Sequence, residues 1–201
     1  MPVLFVTGAG KGIGRAIAER FLGAGWQVAG LTRSAADVEA LNGLGAGARF
    51  WQADAADPQE VHRIAAALGE ALGGAPGGAL GGAPGGAPGD APLDLLVNNA
   101  GAFHHGGFRD TAPQTLEAMW RANVLGAFTV TQALLPLLLR SRGRIANIVS
   151  LAALKPLPGK AAYCAAKAAQ AALFGCLRQE IAAEGVTVTN VYPGLTYTHS
   201  F

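Results

Sequence analysis

The sequence predicts the α/β class: a doubly wound parallel sheet of about six strands with helices on both faces. Three observations predict it. Short apolar runs alternate with longer segments of helical periodicity along the 201 residues, which is the signature of strand–helix–strand units. The runs at 3–6 and 93–97 are almost continuously apolar, as in strands covered on both faces. The first run ends in a glycine-rich turn, Thr7 to Gly14, directly before a helical segment.

The elements follow in order. Strands are predicted at 3–6, 26–31, 49–53, 93–97, 144–149 and 186–192. The first helix places Ile13, Ala16, Ile17, Phe21 and Leu22 on one face and ends at Gly23 and Gly25. A weak helix covers 35–44. Another covers 58–72, with Pro58 at its first position, where a missing N–H costs nothing. Thr111 and Gln114 predict a capping box opening a long helix to about residue 140. An Ala-rich helix over 160–184 is stopped by Gly185.

Between the third helix and the fourth strand, residues 73–92 form nearly five copies of a Gly-Gly-Ala-Pro unit. Period four excludes collagen, and nothing in the unit can pack a core. The segment is expected to be a flexible insertion within a single domain spanning 1–201, leaving the sheet at its N-terminal edge, away from the edge where ligands bind.

Composition narrows the function classes. The net charge of +2 is scattered, so neither nucleic acid nor an anionic membrane is an expected partner. The N-terminus reads as a strand, not a leader. The apolar stretch 124–139 holds Thr129, Thr131, Gln132 and Pro136 and reads as a core helix short of a membrane span. Cys164 and Cys176 share one predicted helix. Their spacing separates them by roughly 18 Å, too far for a disulfide and suited to a cytoplasmic location.

The turn Thr7-Gly8-Ala9-Gly10-Lys11-Gly12-Ile13-Gly14 has the Rossmann-like form. Gly8 permits the tight turn, Gly12 lets backbone N–H groups approach a pyrophosphate, and Gly14 lets helix and sheet pack closely. Taken alone it is also compatible with a purely structural turn. An NAD site usually carries an acidic residue at the end of the second strand. Here Thr32, Arg33 and Ser34 stand there. Arg33 and Lys11 are candidates for a 2′-phosphate, which implies NADP(H) over NAD(H); both also fit ordinary surface cations.

Tyr163 and Lys167 are four apart on a predicted helix, hence on one face. An ammonium nearby favours phenolate, so the phenol can serve as acid in reduction and base in oxidation. Ser150 ends the preceding strand at the ligand edge. By itself it reads first as a turn or cap serine; otherwise it would bond the substrate oxygen. Asn123, mid-helix among Trp120, Val124, Leu125 and Phe128, is a poor helix former that needs a partner if buried.

Thr7-Gly8-x-x-x-Gly12-Ile13-Gly14, Asn98-Asn99-Ala100-Gly101, Asn123, Ser150, Tyr163-x-x-x-Lys167 and Pro193-Gly194 together resemble, in order and spacing, the compact single-domain short-chain dehydrogenases/reductases. The resemblance implies an NADP(H)-dependent oxidoreductase interconverting a carbonyl and an alcohol. It implies Tyr163 as acid/base, Ser150 orienting the substrate oxygen, Lys167 holding the ribose and lowering the Tyr pKa, and Asn123 fixing a relay water. Gly8, Lys11, Gly12, Ile13, Gly14, Arg33, Asp54, Asn98, Ala100, Gly101, Pro193, Gly194 and Thr198 become the other cofactor residues. Asp54 falls near the adenine, Asn98 and Gly101 at the cofactor and sheet centre, and Pro193-Gly194 with Thr198 beside the nicotinamide amide. The resemblance also implies a homodimer built on the two long helices.

That family continues past the Pro-Gly segment, whereas this sequence stops at Phe201. The substrate lid is therefore expected to be absent or supplied by a partner, and a sheet edge to be exposed. The rival class is a catalytically weak or inactive cofactor-binding module acting as a sensor or interaction partner. His104 and His105 read as loop or pocket residues, with no metal expected. The apolar or small residues Ala102, Phe103, Leu151, Ala152, Ala153 and Leu195 favour a hydrophobic substrate.

Overall fold

Consecutive apolar side chains at the N-terminus form β1 (Val3–Thr7), buried at every position. It pairs in parallel with β2 (Gln27–Thr32) on one side and β4 (Leu95–Asn98) on the other. β3 (Ala48–Gln52) extends the sheet beyond β2, and β5 (Arg144–Ile148) and β6 (Thr187–Val191) extend it beyond β4. The order is β3-β2-β1-β4-β5-β6. The chain reverses direction across the sheet between β1 and β4, and ligands bind outside the carboxyl ends at such a switch point. The computed structural model describes residues 1–73 and 92–196.

Side chains of each strand alternate between two cores. Leu4 and Val6 join Val28, Phe50, Ala18 and Leu41, the last two from α1 (Gly12–Leu22) and α2 (Ala35–Asn42). Phe5, Leu96 and Ile145 meet Leu68 of α3 (Pro58–Gly73), Leu134 of α5 (Gly126–Ser141) and Phe174 of α6 (Ala161–Glu180) on the other face. α4 (Pro113–Trp120) precedes α5. Fully burying a side chain such as Phe174 contributes about 1.5–3 kcal/mol, so both helical layers are held by burial.

A row of amides crosses the sheet. Asn98, Asn147 and Asn190 are register partners on β4, β5 and β6. Asn98 Nδ2 donates to Asn147 Oδ1 at 2.9 Å, and Asn147 Nδ2 to Asn190 Oδ1 at 3.0 Å. The row ends on Thr131 of α5 and on the Ala171 carbonyl of α6. A buried amide deprived of its partner costs about 1–3 kcal/mol. The row therefore ties α6 to the sheet at a fixed height.

Several expectations change in detail. The long helix is not one α-helix: a π-helical turn, Arg121–Leu125, joins α4 to α5. Thr111 and Gln114 form no capping box. Ala112 is the N-cap without a side-chain bond, and the Thr111 hydroxyl donates back to the Gly107 carbonyl at 2.7 Å. In α1, Ala18 rather than Ala16 is the buried alanine. α6 ends at Glu180, and a short 3-10 turn, Ala182–Glu184, leads to Gly185 at φ 82°. Pro113–Ser141 is long and apolar enough to cross a membrane, contrary to the expected shortfall, but 56% of its most apolar window is buried in the fold, as in a core helix.

The Gly/Ala/Pro repeat (73–92) falls almost wholly outside the described residues, as does Thr198. After the repeat, Asp94 pairs with the start of β1: its N–H donates to the Val3 carbonyl at 3.1 Å, and its carboxylate accepts from the Val3 N–H at 2.7 Å. The chain thus re-enters the sheet at the edge opposite the crevice.

Candidate active site

The crevice begins where β1 meets α1. Gly8 adopts φ 65°, a left-handed conformation that favours glycine. Its N–H donates to the Leu31 carbonyl at 2.9 Å. Gly14 allows the close approach: a Cβ there would lie 2.4 Å from both the Gly8 carbonyl oxygen and Asn99 Nδ2. Asn99, passed over as an individual residue in the sequence, braces the turn by donating Nδ2 to the Thr7 and Gly8 carbonyls at 3.0 and 3.1 Å. The Thr7 hydroxyl accepts from the N–H groups of Asn99 and Ala100 at 3.0 and 2.9 Å.

The first turn of α1 contains Gly12, Ile13 and Gly14, has no acidic residue, and receives no side-chain cap from Lys11. Its N–H groups are therefore left for an anion. By donor set and by the room the glycines leave, these residues fit a dinucleotide pyrophosphate.

At the end of β2, Arg33 is exposed. Lys11 is exposed too, at the start of α1. A carboxylate that the sequence reading did not place here comes from α2. Asp37 Oδ2 lies 3.5 Å from the Thr32 hydroxyl, and it fills the space a Gly10 Cβ would need. Ser34 caps α2 by accepting from the Asp37 N–H at 3.2 Å.

Asp54 follows β3, accepting from the Ala56 N–H at 2.9 Å and from Arg121 Nη2 at 2.9 Å. Partial burial pushes its carboxyl up. The Ala56 N–H, Arg121 and the nearby Arg33 outweigh that and hold it below the ordinary value.

Asn98 does not reach the crevice with its amide nitrogen, which is spent on Thr131 and Asn147 within the sheet. Three residues further on, Gly101 borders it. A Cβ there would lie 2.6 Å from Asn123 Oδ1 and 3.5 Å from Lys167 Nζ. Asn123 sits in the π-helical turn and is fully buried. Its Nδ2 donates to the Ala102 and Met119 carbonyls, both at 2.9 Å. Its Oδ1 has no partner among the described residues. A π-bulge of this kind recurs at functional sites.

Ser150 caps the 3-10 turn Leu151–Ala153, accepting from the Ala152 N–H at 3.1 Å, and it stands near enough to the Tyr163 phenol to favour its ionised form. The turn serine and the site serine are the same group. Tyr163 lies in the first turn of α6, edge-on to Phe103 with ring centroids 5.0 Å apart. Lys160 Nζ lies over the Phe103 ring at 5.2 Å.

Lys167 is 4% exposed. Nζ donates to the Ile148 carbonyl at 2.9 Å and to Gln170 Oε1 at 3.0 Å. Burial pulls its pKa down to about 8. The expected lowering of the Tyr163 pKa is not what the free site gives. Burial pushes the phenol up, Ser150 offsets part of this, and Cys164 adds to the rise. With Lys167 turned onto Ile148 and Gln170, desolvation of the phenol prevails.

Beyond β6, the Pro193 carbonyl accepts from the Leu151 N–H at 3.1 Å, and Gly194 packs near the Leu151 side chain. Phe103, Leu151, Leu154 and Leu195 leave much of their apolar surface exposed. Ala152 is buried instead of lining a surface. His104 packs against Gly106 and His105 against Gly159. A hollow lined by Arg49, Trp51, Ala67, Glu70 and Ala71 lies against the outer strand β3 and shares no residue with the crevice.

Fold and site define a nucleotide-binding α/β protein with a Ser–Tyr–Lys constellation at the switch point of its sheet. Residues 2–76 and 89–201 match the family model for short chain dehydrogenases, and the chain belongs to that family. It is 32% identical over 208 residues to dehydrogenase/reductase SDR family member 7B of Bos taurus, covering 98% of this chain and 58% of the relative. It is 32% identical over 208 residues to a sepiapterin reductase of Chlorobaculum tepidum, covering 98% and 78%. A solved short-chain dehydrogenase from Streptomyces avermitilis superposes with a TM-score of 0.84 at 31% identity, covering 98% of this chain and 67% of that one. The chain thus spans from 58% to 78% of these proteins' lengths.

Proposed function

We propose that the chain is an NADP(H)-dependent oxidoreductase that interconverts a carbonyl and an alcohol, with Tyr163 as acid/base. The observation that carries the reading is the placing of Ser150, at the carboxyl end of β5, where it acts on the Tyr163 phenol, with Lys167 one helical turn further along the same face and the glycine turn across the crevice. The chemistry supplied by a bound nicotinamide is hydride transfer at C4.

The protein's own groups do the rest. Gly8, Gly12, Ile13 and Gly14 present backbone N–H groups to the pyrophosphate. Asp54 would take the adenine, Lys167 the ribose, and Pro193 and Gly194 the nicotinamide amide. Ala100 and Gly101 line the crevice between the two halves. Ser150 fixes the substrate oxygen beside the phenol, and Tyr163 gives that oxygen its proton in reduction. A phenol kept protonated by burial is in the right form for that direction at neutral pH. Asn123, with its unpartnered Oδ1 turned toward Gly101 and Lys167, is suited to holding a relay water.

The preference for NADP(H) rests on Arg33 and Lys11, two exposed cations near the crevice, with Asp37 as the opposing charge beside Thr32. Arg33→Asp is expected to lower the ratio of NADPH to NADH catalytic efficiency about 10–100-fold, the worth of one charge-assisted hydrogen bond. An unchanged ratio would remove the preference from Arg33. Steady NADPH oxidation with a panel of aldehydes, ketones and quinones tests the reading as a whole. Binding without turnover would point to a cofactor-binding module.

The exposed apolar rim at Phe103, Leu151, Leu154 and Leu195 favours a hydrophobic substrate. Exposed Leu116, Trp120 and Phe128 on the α4–α5 rod, beside the Ala-rich α6, support a homodimer through these helices. A monomeric mass in light scattering at micromolar concentration would reject it. Two free cysteines accord with a cytoplasmic location.

A further inference from the structure

The core-facing stripe of α6 carries an amide where packing alone would take an apolar side chain. Ala162, Ala166, Lys167, Gln170 and Phe174 are buried along it. Gln170 is 0% exposed. Its Nε2 has no hydrogen-bond partner among the described residues, and a buried donor left bare is destabilising. Among the described residues, the one side-chain hydrogen bond of Gln170 is through Oε1, which accepts from Lys167 Nζ at 3.0 Å.

An ammonium has three N–H donors and no acceptor. Two donors of Lys167 are occupied, by the Ile148 carbonyl and by Gln170 Oε1. The same nitrogen lies 3.5 Å from the position a Gly101 Cβ would take, so it borders the crevice. We propose that Gln170 is a positioning residue for the redox chemistry: with the Ile148 carbonyl it forms two legs of a tripod that keeps the Lys167 ammonium charged and turns its third N–H toward the crevice. This rests on the oxidoreductase reading given above.

The reason an extra acceptor matters is electrostatic. Burial brings the Lys167 pKa to about 8, so its charge is only modestly secure at neutral pH. An acceptor on the charged form favours it. Without that acceptor the amine is more often neutral, and it neither grips a hydroxyl as strongly nor favours phenolate on Tyr163.

Among the described residues no other charge near Lys167 performs this task. The 3-10 turn Leu151–Ala153 and β6 carry no titratable side chain. Glu117 of α4, Arg121 of the π-helical turn and Glu184 after α6 are all exposed, and Arg121 is paired with Asp54. On α6 itself the neighbouring titratable groups are Tyr163 and the buried Cys164.

Four lysines in the sequence make ¹³Cε-lysine NMR of the free chain a direct readout. Native Lys167 is expected to titrate near 8. In Gln170→Met, which keeps the shape and removes the amide oxygen, the midpoint should fall by about half to one pH unit, the difference between a charge-assisted and a neutral hydrogen bond. In Gln170→Glu it should rise above the native value. Alcohol oxidation by Gln170→Met should shift its rising limb to higher pH, with thermal melting recorded alongside. Should Gln170→Met melt early, Gln170→Glu alone still decides the matter through the direction of its shift. A folded Gln170→Met with the native midpoint, or a Gln170→Glu midpoint at or below it, overturns the proposal. A native chain without turnover on any carbonyl, with the midpoints moving as described, would overturn the oxidoreductase reading instead and leave the Gln170–Lys167 coupling standing.

Discussion

Replacing Tyr163 by phenylalanine is expected to lower carbonyl reduction by about 10²–10⁴-fold, the usual contribution of a positioned acid or base, while NADPH affinity stays within about twofold. The substitution keeps the ring that meets Phe103 edge-on and removes only the hydroxyl on which Ser150 acts. The proton for the substrate oxygen then has no donor in place. Ser150 stays anchored through the Ala152 N–H, so the variant should fold. Initial rates with saturating NADPH, together with a fluorescence titration of the cofactor, separate the two effects. A rate within a few-fold of native would show that the phenol is not the acid.

Gly14→Ala is expected to carry the second large effect, on binding. Its methyl group would sit 2.4 Å from the Gly8 carbonyl oxygen and from Asn99 Nδ2. The carbonyl belongs to a turn held by a backbone bond to Leu31, and the amide is fixed by two hydrogen bonds, so neither retreats easily. Forcing an extra methyl into a packed site costs about 1–3 kcal/mol. If that strain displaces the turn that faces the pyrophosphate, NADPH affinity falls about 10–100-fold, and the melting temperature drops with it. Gly69→Ala on α3 is the matched control. A Cβ there meets nothing within 4 Å, so the exchange should be neutral or stabilising by up to about 1 kcal/mol. Native affinity in Gly14→Ala would place the dinucleotide elsewhere.

The architecture was legible because strand-length and helix-length segments alternate along the chain and the central strands, buried on both faces, leave nearly unbroken apolar runs; all six expected strands are present. Boundaries moved by one or two residues, since strand ends depend on pairing partners. The Tyr163–Lys167 spacing and Ser150 were readable because helical spacing and strand ends are local properties.

What was not readable depends on contacts between distant segments. The π-helical turn at Arg121–Leu125 leaves no mark on apolar periodicity, and the only trace of it was an asparagine in mid-helix. Asp37 reads as an ordinary first-turn helix residue until the fold sets it against Gly10. Asn147 and Asn190 read as strand polars until register aligns them with Asn98. From its spacing alone Lys167 reads as a charge acting on Tyr163. Its burial and its two protein acceptors come from packing α6 on β5, which spacing does not encode. The apparent capping box failed because Ala112, not Thr111, is the N-cap, which puts Thr111 outside the helix and Gln114 one position short of N3.

Isotope transfer reads the central assignment most directly. With NADPH deuterated at C4 and a carbonyl substrate identified from the panel, the native chain should place one deuterium per turnover on the carbinol carbon, and Tyr163→Phe should place almost none in the same time. Product free of label, or label carried equally well by Tyr163→Phe, would contradict a direct transfer completed by the Tyr163 proton.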